Sequence, residues 1–129
     1  MSTVTVYRVE QPDGSGPYFY PDGDYRWFDS LERMREDHSD TDHPTPSRDG
    51  LPVIESHQRS GFVSLVDLKN WFRGWEPSLA AEDYSITLYD VPEKYIGRGG
   101  KQAIFHYKKA KYVRSLSLLD IDARKVQDV

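Results

Sequence analysis

Ser60-Gly-Phe-Val-Ser-Leu-Val-Asp-Leu-Lys-Asn-Trp-Phe-Arg-Gly-Trp75 is the stretch on which the fold turns. It reads as a short apolar strand that runs straight into an amphipathic helix. Ser64 followed by Asp67 fits a helix start, in which a hydroxyl accepts a free amide of the first turn and a carboxylate reaches back. Leu65, Leu68, Phe72 and Trp75 then recur at a helical spacing, so one face is apolar. Gly74 is where such a helix can stop, because glycine adopts the left-handed conformation at little steric cost. No other segment combines a start signal with so much buriable surface.

Outward from this stretch, strands dominate. Thr3–Glu10 is β-branched and alternating, with Val4, Val6 and Arg8 on one side and Tyr7 and Val9 on the other. An arginine that continues an apolar stripe, if buried, must be paired or must hold a ligand; at a strand end it only snorkels. Gln11–Asp24 is rich in turn residues and encloses Tyr18-Phe19-Tyr20. Ser30–Asp37 suits a short helix capped by Ser30, with Leu31 and Met34 turned inward. Residues 38–57 form a long irregular loop, with an edge element expected over Leu51–His57. His38, Asp40, Asp42 and His43 lie in that loop without helical spacing, so no metal is expected there.

After the helix comes a connector from Glu76 to Asp83, then the strand Tyr84–Val91 ended by Pro92. One helical turn is expected over Pro92–Ile96. Gly97-Arg-Gly-Gly-Lys101 has the composition of a phosphate cradle, but it lacks the Walker spacing and precedes a strand, so a wide hairpin turn is expected. Gln102–Tyr107 and Tyr112–Leu119 close the sheet, and residues 120–129 are a tail. The expected architecture is therefore α+β: one compact domain over 1–129 with its core at about 3–119. It would hold a mixed or antiparallel sheet of five to six strands with two helices.

Composition sets bounds on function. The chain has 129 residues, enough for one core, and no cysteine, which excludes disulfides and thiolate zinc sites. No apolar run approaches the roughly 20 residues of a membrane helix, so a soluble cytoplasmic protein is expected. The net charge of -4 is unevenly spread: residues 1–92 hold 17 acidic against 8 basic side chains, and residues 93–129 hold 4 against 9. An acidic surface for a basic partner is one implication. The rings of Phe105, Tyr107 and Tyr112 alternate with lysines, but alternation points them into the core, so nucleic acid is not the expected partner.

The order of signals resembles the ADP-ribosyltransferase fold: Tyr7-Arg8 on the first strand, a glycine-aromatic strand with Ser60, Phe62 and Ser64, a strand ending in Val91-Pro92, and Gln102 opening the next. In the branch of that family with an Arg-Ser-Glu triad, the resemblance implies that Arg8 holds NAD, with Tyr7, Ser60 and Phe62 beside it. Ser64, or Ser60, would orient the ribose, and Gln102 would stand where that family places a glutamate. Glutamine hydrogen-bonds a hydroxyl but brings no negative charge to a developing cation. The chain also looks like small proteins of phages and prophages, through Tyr7-Arg-Val-Glu10, Gly16-Pro-Tyr18, His43-Pro-x-Pro-x-x-Asp-Gly50, Gly61-Phe-x-Ser64, Trp71-Phe72 and Gln102-x-x-Phe105. Such proteins are often non-enzymatic inhibitors of host defence complexes (anti-CRISPR proteins among them). That resemblance implies an acidic face, Asp22–Asp42, set against a basic host protein.

Overall fold

Strand β3 (Ser85–Pro92) is the middle of the larger sheet and explains why Ile86, Thr87, Leu88 and Tyr89 are buried in succession. A strand covered on both faces has no solvent side, so the polar alternation disappears. The structure is a computed structural model that describes residues 2–17, 34, 38, 43, 48–52 and 54–119. β1 (Thr3–Glu10) pairs antiparallel with β3 along its whole length, from Thr3 opposite Pro92 to Glu10 opposite Ser85. β6 (Lys111–Leu116) pairs on the other side, with a register shift at Leu88/Tyr89. The second sheet consists of β2 (Gln58–Gly61), β5 (Ala103–His106) and β4 (Ile96–Arg98), again antiparallel. The described chain is thus α+β with six antiparallel strands, divided into two three-stranded sheets ordered β1-β3-β6 and β2-β5-β4 in place of the one expected sheet.

Among the described residues, one backbone bridge joins the two sheets. Phe62 N–H donates to Tyr7 O at 2.8 Å, and Tyr7 N–H to Phe62 O at 2.7 Å. Gly61 permits this approach, since a Cβ there would stand 2.8 Å from Val6 Cγ1 and 2.9 Å from Tyr7 O. The chain leaves β2, bridges to β1 and enters helix α1 (Leu65–Trp71) as the opening motif requires. Ser64 Oγ accepts from Asp67 N–H at 3.3 Å, and Gly74 ends the turn at φ +87°. Leu65, Leu68, Trp71 and Phe72 are buried against Val9, Ile86 and Leu88 in the first core. Complete burial of Leu68 alone stabilises the fold by about 1.5–3 kcal/mol.

Two expectations need correcting. Glu76–Asp83 is not a plain connector, because Glu76–Ala81 forms helix α2. Pro77 presets its first turn, Leu79 is fully buried and Asp83 ends it at φ +66°. Residues 54–57 are not strand: Glu55 and Gln58 close a turn through reciprocal bonds of 3.0 Å, and pairing begins only at Gln58. The helical turn expected after Val91 is a 3-10 turn, Glu93–Tyr95, and Gly97–Lys101 lies in the β4–β5 hairpin. Met34 is fully buried, while the rest of the Ser30–Asp37 helix, the Tyr18–Phe28 aromatics and the 120–129 tail lie outside the described residues. None of the described helices is long and apolar enough to cross a membrane.

Candidate functional site

Arg8 follows from the alternation of β1. Val6, Arg8 and Glu10 project to one side of the strand, where Val6 joins Tyr89, Val91 and Phe105 in a second core. Further along that side the apolar filling gives way to a hydrogen-bonded polar group. Arg8 is only 7% exposed. Its Nε donates to Glu10 Oε2 at 3.3 Å, Nη1 to Ser60 O at 2.8 Å and Nη2 to Gly14 O at 3.1 Å. Burial lowers the Arg8 pKa from its ordinary value, and the Glu10 carboxylate opposes that shift. The other Glu10 oxygen accepts from Tyr89 O–H, whose own oxygen lies 3.1 Å from the Tyr107 hydroxyl. Burial first, then these hydrogen bonds, push the Tyr89 phenol well above its ordinary range.

Arg8 and Tyr107 of this assembly line a cleft of about 930 Å³, with Glu10 and Tyr89 supporting them from behind. One wall is aromatic, from Phe62, Trp71 and Phe72 at the α1 end; Ser60, Arg59 and Gln102 continue it along β2 and the start of β5. The turn at 13–17 lies opposite, where Gly16 sits flat on the guanidinium; a Cβ there would be 3.0 Å from Arg8 Nη2. His38 and His43 stack at 3.9 Å beside Trp71, and His43 Nε2 is 3.0 Å from Trp71 O. These two histidines thus act as ring surface at the cleft rim. Among the described residues, no group of three or more His, Asp or Glu side chains is arranged to hold a metal.

The residues expected to bind or catalyse are therefore divided. Arg8, Ser60, Phe62 and Gln102 line the cleft. Tyr7 faces the other side of β1 and packs on the first core, contributing only its backbone bridge. Ser64 is spent on the helix cap and does not line the cleft. Glu10, Tyr89 and Tyr107 were not singled out from sequence. Glu10 lies two residues past Arg8 on an alternating strand, which was the available signal; Tyr89 and Tyr107 are 79 and 97 residues from it, and only folding brings them together.

The glycine-rich hairpin already holds an anion of its own. Asp49 accepts from Lys101 N–H at 2.9 Å and Gln102 N–H at 2.8 Å, while its carbonyl accepts from Gly100 N–H at 3.0 Å. A Cβ on Gly99 would lie 2.5 Å from the Asp49 carboxylate. The amides of the phosphate-cradle composition are thus occupied internally, and they pin the 48–52 segment beside Gln102.

Against known families, residues 1–119 match the model of the bacteriophage T4 Y00F protein. The chain belongs to this phage family. No curated protein and no solved structure matches it. Each of the six short segments quoted above for the phage resemblance places a residue on the cleft: Arg8, Gly16, His43, Phe62, Trp71 and Gln102.

Proposed function

We propose that this phage-family chain binds a nucleotide of the NAD type in the Arg8 cleft, as an accessory protein of ADP-ribosyltransferase-like organisation. The observation that carries the reading is the gathering of Arg8, Ser60, Phe62 and Gln102 around one cleft. An arrangement of that type requires the strands bearing the arginine, the serine and the late polar residue to be neighbours. Here β1 meets β2 at Tyr7/Phe62, and β2 pairs with β5 just after Gln102. The aromatic wall suits a flat ring, and Ser60 and Gln102 suit ribose hydroxyls. With a neutral amide at Gln102 and Ser64 held in the helix cap, the position where the resembled family has its glutamate brings no charge to an oxocarbenium-like centre. The proposal is accordingly for binding, and transfer is not part of it.

Calorimetric titration with NAD tests this. Wild type should give saturable heat that disappears in Ser60→Tyr, which fills the cleft, with circular dichroism unchanged. Absence of heat in wild type overturns the reading. A second reading starts from the phage resemblance: inhibition of a host defence complex by binding a basic protein through the acidic residues between Asp22 and Asp42, which lie outside the described residues. That reading expects capture of a host protein at low salt and its release at high salt; recovery of none speaks against it.

A further inference from the structure

The inward pointing expected of the late aromatic residues holds for Phe105, which is fully buried, but fails for Tyr112, which is 59% exposed. Tyr112 stands opposite Tyr89 in the β3–β6 pairing, with ring centroids 6.5 Å apart, so it lies on the outer rim of the second core. Tyr95 packs against the same core. Over the Tyr95 ring two ammonium groups converge from separate 3-10 turns: Lys94 Nζ at 5.2 Å from the centroid and Lys109 Nζ at 5.7 Å. Lys108, next to Lys109, is exposed. From residue 93 to 119 there are seven Lys and Arg side chains and a single acidic one, Glu93, which pairs with Arg98 at 3.4 Å. Asp90, the acidic neighbour on β3, stands opposite Lys111 and accepts from Thr5 Oγ1 at 3.5 Å.

We propose that this rim binds single-stranded nucleic acid, with Lys94 and Lys109 on phosphates and the Tyr112 ring against an unstacked base. Both lysines are exposed, so each ammonium keeps its contact with the Tyr95 ring while remaining open to a phosphate from solvent. The exposed Tyr112 ring, three residues after Lys109, is what distinguishes a nucleic acid from an acidic protein, since every base presents a face to stack on. A duplex offers phosphates but no free base face, so a single strand suits the rim better. The surface is separate from the Arg8 cleft, and its test does not depend on nucleotide binding there.

Fluorescence anisotropy with labelled single-stranded RNA and DNA of about 20 nucleotides, at low and moderate salt, reads out the binding. Wild type should bind either strand more tightly than the matching duplex. Lys94→Glu/Lys109→Glu should raise Kd at least about tenfold and reduce the slope of log Kd against log salt by about 1.4, at about 0.7 per phosphate. Tyr112→Ala should weaken binding at least about fivefold and leave the slope unchanged. No binding at low salt, tighter binding of the duplex, or Kd values that ignore both variants overturns the proposal. Equal binding of polyglutamate, lost in the same variants, also overturns it, in favour of an acidic protein partner.

Discussion

The two sides of β1 rest on opposite kinds of chemistry. On one side Val9 meets Leu68, Phe72, Ile86 and Leu88 in a core of hydrocarbon and aromatic rings. On the other, two residues beyond Val6, the packing is a charged pair with two phenols: Arg8, Glu10, Tyr89 and Tyr107. The first side is held by a non-directional attraction that follows buried area, so a substitution there costs the lost area and the cavity left behind. On the second, each buried polar atom depends on a named partner and loses far more than a contact when that partner goes. Both sides reach the cleft, the first through the wall of Phe62, Trp71 and Phe72 and the second through Arg8 and Tyr107, but only on the second does a substitution also strand a buried charge.

The comparison breaks most visibly at Arg8. Arg8→Met strands the Glu10 carboxylate in a buried setting, and urea unfolding should show a loss of about 3–5 kcal/mol. Arg8→Met/Glu10→Leu should recover most of it; if the double variant is no better than the single, the pair is not what stabilises this side. In the hydrocarbon core, Leu68→Ala should cost about 2–5 kcal/mol through lost burial and the cavity left behind. A cost below about 1 kcal/mol there would show that the site collapses around the gap and that the core is loosely filled.

Tyr89 sharpens the contrast through pH. Its folded pKa is raised, so the stability it contributes is complete below the unfolded value of about 10 and is lost as the pH rises beyond it. Wild type should weaken progressively above about pH 10, and Tyr89→Phe, although less stable at neutral pH by about 1–3 kcal/mol, should show a flatter alkaline decline. Parallel declines in the two proteins would mean that other tyrosines carry the effect. The smallest change is expected at the helix start: Ser64→Ala removes the cap for about 0.5–2 kcal/mol. NAD binding should persist in that variant, because Ser64 lies off the cleft; its loss would return Ser64 to the site.

Legibility followed the same division. The α1 segment was readable because a start signal, a helical apolar period and a terminal glycine are all local, and each has one meaning whatever surrounds it. Helix α2 was passed over because it is six residues long, with Leu79 as its one buried anchor and no side-chain cap. Arg8 stood out as a charge in an apolar stripe, yet whether it was paired or free depended on Glu10, on two carbonyls and on a turn. The glycine-rich hairpin resembled a phosphate site until Asp49, about fifty residues earlier, supplied the anion.

By itself the sequence determined an α+β chain of short strands about one capped helix, since period, capping and turn chemistry act over a few residues. It also determined a family, since residues 1–119 match the model of one phage family. Folding alone decided that the strands form two sheets joined at Tyr7 and Phe62, that Ser64 serves the helix while Ser60 serves the cleft, and that Tyr112 faces water. These are outcomes of which residues distant in the chain come to share a surface. A buried polar group is defined by its partners, and partners brought together by folding leave no local period to read.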